Sequence, residues 1–254
     1  MTDKIEKCQG LLIMAANSLG LPEDIPCRSL EAVRTADLLI FEEDKPARQV
    51  LKAAGVQKDY LKYNEQDQKQ TLETIREELL AGKTVLYMSD QGCPTLEDPG
   101  YEVARTARRC KAKIQVIPGP SSLTAALSAC PFSNKTFEFL GFPPREDSQR
   151  KAFFRQMQGR KRLQIFMDTP YRLKRILETC CEVFSDCAKG YVALDISGED
   201  ENYLFGTFKE IYDEVCEIDK KLNFVMIINP ASFKEKTKDK APKKKSQNHR
   251  RRRH

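Results

Sequence analysis

Short apolar segments alternate with segments of helical periodicity through the first half of this 254-residue chain. Unbroken apolar runs predict buried strands at residues 10–16, 37–41, 84–88 and 114–117. The helices predicted between them cover residues 29–35, 46–54, 66–80 and 101–110. Because strands separated by single helices pair in parallel, the alternation predicts α/β structure around a mainly parallel sheet.

The pattern changes at residues 118–120, where Pro-Gly-Pro breaks the chain sharply. A helix is predicted directly after this break, at residues 121–129, with Ser121 or Ser122 as its N-cap. Further strands and helices are predicted at residues 149–158 (helix), 163–167 (strand), 171–182 (helix), 190–196 (strand), 203–206 (strand), 208–217 (helix) and 224–228 (strand). We therefore expect an N-terminal α/β domain over residues 1–118 and a C-terminal α+β domain over residues 119–233.

Basic residues are concentrated at the end of the chain. Residues 234–254 contain 11 Lys and Arg but only 2 Asp and Glu, and the other 32 basic and 35 acidic residues give the remainder a net charge of −3. The segment has no apolar residues able to form a core, so we expect it to be disordered. A basic tail on an acidic body predicts a polyanionic partner such as RNA, and a purely solubilising tail is the alternative.

Several classes of site are disfavoured by composition. The nine cysteines are scattered without a C-x-x-C pair, which argues against a disulfide framework or a zinc site. Both histidines, His249 and His254, lie in the tail, so the predicted body lacks the commonest catalytic base and metal ligand. We therefore expect no metal site. With no transmembrane run and no signal-peptide core at the N-terminus, we expect a cytoplasmic protein without a membrane partner.

The loop at residues 89–100 is the strongest functional signal. It follows the strand predicted at 84–88 and is rich in residues that allow sharp turns, among them Gly92, Pro94 and Gly100. Asp90 places a carboxylate at the C-terminal end of that strand. Ligands of open α/β sheets bind at this edge, so the loop predicts a ligand site.

Five segments carry motifs that occur together in one known family: residues 10–20, 89–100, 118–129, 141–144 and 166–172. Jointly they resemble the tetrapyrrole methylase-like (class III) S-adenosylmethionine-dependent methyltransferases. The resemblance is greatest to the branch that methylates a ribose 2′-hydroxyl of a cytidine in small-subunit ribosomal RNA, and it covers roughly residues 10–230.

The resemblance implies two α/β domains of the tetrapyrrole-methylase type, with S-adenosylmethionine in the interdomain cleft and a homodimeric assembly. It also implies which residues bind this cofactor: Ser18, Gly20, Met88, Ser89, Asp90, Cys93, Ser121, Ser122 and Met167. Partners implied are RNA or the small ribosomal subunit, reached through the basic tail.

Other segments depart from the ribosomal branch and leave the acceptor open. They are residues 17–20, 43–46, 168–172 and 194–198, where a histidine and two basic residues of that branch are missing. Three hypotheses follow: an RNA ribose methyltransferase, a methyltransferase of a tetrapyrrole or other small molecule, and a catalytically inactive S-adenosylmethionine-binding protein.

The catalytic base is not identified by the sequence. A hydroxyl acceptor needs a group that removes its proton, and carboxylates are the candidates when histidine is absent. The weak candidates are Glu43, Asp44 and Asp168; Asp90 is assigned instead to positioning the cofactor, and Asp98 to capping a helix. Arg172 is expected to meet either a phosphate or an acid, and Asn64 and Glu65 are weaker candidates near the cleft.

Overall fold

The computed structural model describes residues 9–64, 68–133, 135–230 and 233. The basic tail predicted to be disordered and to bind RNA, and the candidate Glu65, lie outside these residues. In the first half the chain alternates strictly between strand and helix. The elements are β1 (Leu11–Ala15), α1 (Cys27–Thr35), β2 (Leu38–Phe41), α2 (Asp44–Ala54), β3 (Leu61–Lys62), α3 (Gln68–Leu80), β4 (Thr84–Met88), α4 (Gly100–Arg109) and β5 (Lys113–Ile117).

The first sheet is wholly parallel, with strand order β3-β2-β4-β1-β5. Its two central strands, β4 and β1, pair in register from Leu11 opposite Thr84 to Ala15 opposite Met88. Helices cover both faces: α1 and α2 pack on one and α3 and α4 on the other. This double burial explains the unbroken apolar runs, because both sides of each central strand face a core.

The second half contains a separate five-stranded sheet. Its elements are α5 (Ser122–Ala129), β6 (Phe137–Phe139), α6 (Asp147–Met157), β7 (Leu163–Asp168), α7 (Leu173–Val183), β8 (Lys189–Leu194), β9 (Asn202–Thr207), α8 (Phe208–Cys216) and β10 (Phe224–Ile228). The strand order is β6-β7-β10-β8-β9, and only the β6–β7 pair is parallel. The fold class expected from sequence, two units of mixed helix and strand, is therefore confirmed.

The second sheet also has cores on both faces. Helices α6, α7 and α8 bury one face around Phe154, Ile176 and Ile211, and α5 packs on the other face against Ile165 and Val225. Strands β7 and β8 both run antiparallel to β10, so their C-terminal ends meet the start of β10 at one edge of the sheet. We propose that the boundary between the two domains is the linker between β5 and α5, which contains the predicted boundary at 118.

Four local features differ from the predicted elements. The two-residue strand β3 was not expected, and α2 begins at Asp44, two residues before the predicted start. A 3-10 turn at Pro170–Arg172 precedes α7, which begins at Leu173. Ser121 occupies the N-cap position of α5, but its side chain makes no capping hydrogen bond. Within the described ranges no helix is long and apolar enough to cross a bilayer.

Gly119 allows the linker to cross the first domain closely. A Cβ at this position would lie 2.6 Å from Cβ of Ala16 and 2.7 Å from Cγ of Pro26, closer than non-bonded carbons approach. We expect Gly119→Ala to lower the free energy of unfolding by about 1–3 kcal/mol, the usual cost of overpacking. Urea denaturation followed by circular dichroism measures it.

Gly159→Ala is the matched control. A Cβ at Gly159 would meet no atom within 4 Å. This substitution should leave stability unchanged or raise it slightly, because alanine has less conformational entropy in the unfolded chain. Equal unfolding midpoints for the two variants would show that the close crossing at Gly119 does not constrain the linker.

Candidate active site

The loops that follow β1 and β4 are tied together by the buried side chain of Asn17. Its Nδ2 donates to the carbonyl oxygens of Asp90, at 2.8 Å, and Ser89, at 3.3 Å, and its Oδ1 accepts from the backbone of Ser18 at 2.8 Å. Backbone hydrogen bonds add a second connection, from Asn17 N to Gly92 O at 2.8 Å and from Gly92 N to Ser18 O at 3.0 Å. The two loops therefore form one unit at the C-terminal edge of the central strands.

The β4 loop has a strained backbone held by the carboxylate of Asp98. Gly92 has a φ of 67°, and the non-glycine residues Thr95 and Glu97 have φ values of 79° and 63°. Asp98 accepts from the backbone N–H of Thr95 and of Gly100, each at 2.7 Å. Positive φ at residues other than glycine is uncommon and concentrates at functional sites, so this loop is a strong candidate for one.

A cleft of about 300 Å³ lies between the two halves of the chain. The first half contributes mainly the β4 loop, and the second half contributes the N-terminus of α5 and the edge formed by β7, β8 and β10. The residues that line it are Leu19, Glu42, Ser89, Asp90, Gln91, Gly92, Cys93, Leu96, Glu97, Asp98, Ser121, Ser122, Phe142, Met167, Asp168, Thr169, Pro170, Asp195, Ile196, Asn223, Phe224 and Val225.

Polar contacts hold the two walls of the cleft at a fixed separation. Leu21 N donates to Ser197 O at 2.9 Å, and the hydroxyl of Ser197 donates to the carboxylate of Asp24. On the other side, Asn223 Nδ2 donates to Gln91 Oε1 at 3.1 Å. These contacts join the β1 and β4 loops of the first half to the β8 and β10 edge of the second.

Arg172 connects two segments on the C-terminal side of the cleft. It forms an ion pair of 2.5 Å with the buried Asp168, and its other nitrogen donates to Pro143 O at 3.0 Å and Pro144 O at 2.8 Å. Of the two partners that the sequence left open for Arg172, the structure shows the acid. The pair fixes the segment that presents Phe142 to the cleft.

The cleft is strongly acidic. Six carboxylates and no lysine, arginine or histidine are among its lining residues; the carboxylates are Glu42, Asp90, Glu97, Asp98, Asp168 and Asp195. Within the described parts of the chain, no three His, Cys, Asp or Glu side chains are arranged so that they could hold a metal ion together. The arrangement therefore favours a cationic ligand over an anionic one.

Glu42 is the carboxylate with the most altered pKa. Burial, with the negative charges of Asp98, Asp90 and Glu43, raises the pKa of Glu42 to about 7, although a hydrogen bond from Tyr87 opposes the shift. The Tyr87 hydroxyl donates to Glu42 Oε1 at 2.7 Å. Burial also raises the pKa of Asp90, whose Oδ1 accepts from Glu43 N at 3.2 Å. A carboxylate that titrates near neutrality in a cleft is a candidate catalytic group.

The structure brings six of the nine predicted cofactor residues into the cleft: Ser89, Asp90, Cys93, Ser121, Ser122 and Met167. Ser18 and Gly20 line a neighbouring depression on the first domain instead. The Met88 side chain is fully buried in the core between the sheet and α1 and α2. Met88 can therefore contribute to cofactor binding only through its backbone atoms.

Two of the three predicted catalytic candidates lie outside the cleft. Glu43 is exposed at the N-cap position of α2, and Asp44 accepts hydrogen bonds from Tyr60 at 2.9 Å and Lys62 at 3.2 Å, which lower its pKa. Neither residue is among those that line the cleft. Asp168 does line the cleft, but its carboxylate forms an ion pair with Arg172. Asn64 is not among the lining residues.

Sequence reasoning did not single out Glu42. It is the first residue after β2, as Ser89 is after β4, and the end of β2 was predicted. The same rule that selected Asp90, a carboxylate at the C-terminal end of a buried parallel strand, applies to it.

Comparisons with known proteins agree with this geometry. A family profile described as "Tetrapyrrole (Corrin/Porphyrin) Methylases" matches residues 12–212. Ribosomal RNA small subunit methyltransferase I of Thermotoga maritima is 29% identical over 79% of this chain and 90% of its own. The protein of the same name from Neisseria meningitidis serogroup B is 31% identical over 80% of this chain and 69% of its own.

A solved structure shows the same fold at lower identity. Uroporphyrin-III C-methyl transferase from Thermus thermophilus, complexed with S-adenyl homocysteine, superposes with a TM-score of 0.59. It is 13% identical, and the match covers 87% of this chain and 98% of that one. The family and the enzyme class expected from sequence are thus confirmed. The chain belongs to the tetrapyrrole methylase family and is an S-adenosylmethionine-dependent methyltransferase.

Proposed function

We propose that this protein transfers the methyl group of S-adenosylmethionine to a ribose 2′-hydroxyl of small-subunit ribosomal RNA. Relatives that match most of the chain are named ribosomal RNA small subunit methyltransferase I. The observation that carries the choice of acceptor is this likeness over most of the chain, since the same name recurs among relatives that are 27–31% identical. The six carboxylates that line the cleft attract a cationic donor, and they repel the carboxylates of a tetrapyrrole precursor as they repel phosphate, so an RNA acceptor must present its neutral ribose hydroxyl to the cleft and keep its phosphates outside.

The lining also fits the methyl donor. S-adenosylmethionine supplies a methyl group already activated on a positively charged sulfonium. The carboxylates of the cleft attract that charge, Leu19, Phe142 and Val225 provide apolar surface, and Ser121 and Ser122 offer small hydroxyls. We propose that Asp90, which lines the cleft at the end of β4, makes the main polar contact with the donor.

Glu42 is the proposed general base. Its pKa of about 7 allows it to be ionised at neutral pH and still basic enough to accept the proton of a hydroxyl. The Tyr87 hydroxyl holds the carboxylate from behind through its 2.7 Å hydrogen bond. Asp168 is less suited, because its ion pair with Arg172 and a hydrogen bond from Thr169 N at 2.7 Å already occupy its oxygens.

Two further expectations remain predictions. These are the homodimer and the cytoplasmic location, which would bring the protein to the assembling ribosome.

Methyl transfer to RNA tests the proposal directly. Small ribosomal subunits lacking the modification, incubated with the full chain and labelled S-adenosylmethionine, should incorporate label at a nucleotide whose 3′-phosphodiester becomes resistant to alkali. Subunits that already carry the modification should take up none. A protein that binds the donor in calorimetry but labels only a tetrapyrrole acceptor, or no acceptor, would contradict the proposal.

Asp90→Ala should weaken donor binding. Loss of a charged hydrogen-bonding group costs about 1.5–3 kcal/mol, so the dissociation constant measured by calorimetric titration should rise about 10- to 100-fold. Asp44→Ala is the matched control, because this carboxylate lies at the start of α2 and is not among the residues that line the cleft. Unchanged affinity in Asp90→Ala would remove Asp90 from the donor site.

Glu42→Gln should lower kcat by about 100-fold or more, the usual contribution of a general base. In the unmodified protein kcat should fall as pH drops below about 7, because Glu42 becomes protonated. Residual activity of the variant should lack this dependence. Donor affinity should be retained, and a variant with normal kcat would exclude Glu42 as the base.

The same variant should gain stability at high pH. The pKa of Glu42 in the folded protein, about 7, exceeds its ordinary value of 4.5. Its contribution to stability is therefore favourable at low pH and is lost as pH rises through about 7, when a buried charge must form. The melting temperature of Glu42→Gln should thus exceed that of the unmodified protein more at pH 8 than at pH 5.

A further inference from the structure

A second groove, of about 260 Å³, opens on the C-terminal domain beside the cleft. Its floor is apolar and is formed by side chains of α7, β8 and α8, including Leu173, Leu194 and Val215. Its rim carries an aromatic ring and four basic side chains: Tyr171, Lys174, Arg175, Lys220 and Lys221. We call this feature the flanking groove.

The flanking groove and the cleft are continuous along one edge of the second sheet. Pro170 lines both. Leu194 lines the groove, and the next residue, Asp195, lines the cleft. In the same way Leu222 lines the groove and Asn223 lines the cleft. Phe224 pairs with both Asp168 and Leu194, so these segments meet at the same edge. A chain that leaves the cleft over Pro170 enters the groove directly.

Tyr171 stands at this junction with 78% of its surface exposed. It lies in the 3-10 turn Pro170–Arg172, and Arg172 anchors that turn through Asp168, Pro143 and Pro144. A single exposed tyrosine needs no explanation in general. An exposed ring on an anchored turn, between an acidic cleft and a basic rim, is a preorganised surface for stacking.

The charge of the surface changes sign across Pro170. The cleft has six carboxylates and no cation, whereas the groove rim has four cations and one carboxylate, Glu178. Two of the cations are paired, Arg175 with Glu178 at 3.2 Å and Lys220 with Asp200 at 2.6 Å.

The other two cations are available to a ligand. Lys174 Nζ donates to Cys216 O at 3.3 Å, and among the residues the structure describes neither Lys174 nor Lys221 forms an ion pair with a carboxylate. These two side chains can therefore neutralise phosphate without first breaking an ion pair.

We infer that the flanking groove binds the nucleotide next to the acceptor in single-stranded RNA, with its base stacked on Tyr171 and its phosphate beside Lys174 and Lys221. The inference rests on the proposed RNA substrate. A stacking ring beside phosphate-binding lysines is how proteins hold unpaired nucleotides. The groove is near the lower size limit of ligand pockets, about 300 Å³, which suits one nucleotide better than a larger ligand.

A tryptophan reporter tests this placement. The chain contains no tryptophan, so Tyr171→Trp introduces a single indole whose emission a stacked base quenches. Titration of the full chain with a short single-stranded RNA should produce saturable quenching. Polyphosphate, which carries the charge without bases, should produce none. Unquenched emission at RNA concentrations that saturate binding, measured separately by anisotropy of labelled RNA, would overturn the inference.

Phe205→Trp is the matched control for the reporter. Phe205 is 47% exposed and lies beside a cation, with Lys189 Nζ 5.8 Å from its ring centroid. It sits on β9, whose alternation places it on the opposite face from buried Leu204, which packs with α7 and α8. RNA held only by the basic tail or by general attraction would affect both reporters alike, and equal quenching would therefore overturn the inference.

Kinetic measurements distinguish a failure of this inference from a failure of the proposed function. Tyr171→Ala should raise KM for the RNA acceptor about tenfold, while Tyr171→Phe, which keeps the ring, should not. Donor affinity should be unchanged in both. If RNA is methylated and Tyr171→Ala leaves its KM unchanged, the groove is wrong and the function stands. If the indole is quenched by RNA but no RNA is methylated, the proposed function is wrong, and the groove keeps only its role of binding single-stranded RNA.

Discussion

The cleft depends on the junction between the loops that follow β1 and β4. The buried amide of Asn17 joins these loops through the carbonyls of Ser89 and Asp90. Two backbone hydrogen bonds between Asn17, Ser18 and Gly92 reinforce the same junction. Together they place Asp90 in the lining of the cleft, and the second domain packs against this joined edge through Ser197 and Asn223.

How accurately the sequence predicts the bounds of an element depends on the physical constraint that acts on its residues. Strands β4 and β10 were predicted at their observed bounds, because burial on both faces requires an unbroken apolar run. Strand β3 has only two residues and no such run, so no pattern could identify it. The start of α2 was placed too late because Pro46, a residue favoured in the first turn, was taken as its beginning.

The sequence predicts which loops form the candidate site, but not which side chains of those loops line it. Motif order selected the correct loops, and Ser89, Asp90 and Met167 do line the cleft. Alternation along a strand decides which neighbour faces the ligand, and the motif does not contain that information. Met88 therefore faces the core, and Glu42, one residue before the predicted candidates, is the acid that lines the cleft.

The pKa of Glu42 depends on how the side chains around the first sheet pack, because burial is what raises it. Tyr87 is fully buried between the sheet and α3 and α4, and its hydroxyl reaches back to Glu42. The same ring lies 2.5 Å from where a Cβ of Gly100 would be, so α4 begins with glycine because the tyrosine occupies that space. A side chain at Gly100 would displace Tyr87 or the carboxylate of Asp98, which also lies within 3 Å of that Cβ position. Tyr87 donates to Glu42, and the charge of Asp98 contributes to the raised pKa of Glu42, so the electrostatics of this carboxylate depend on a glycine that does not line the cleft.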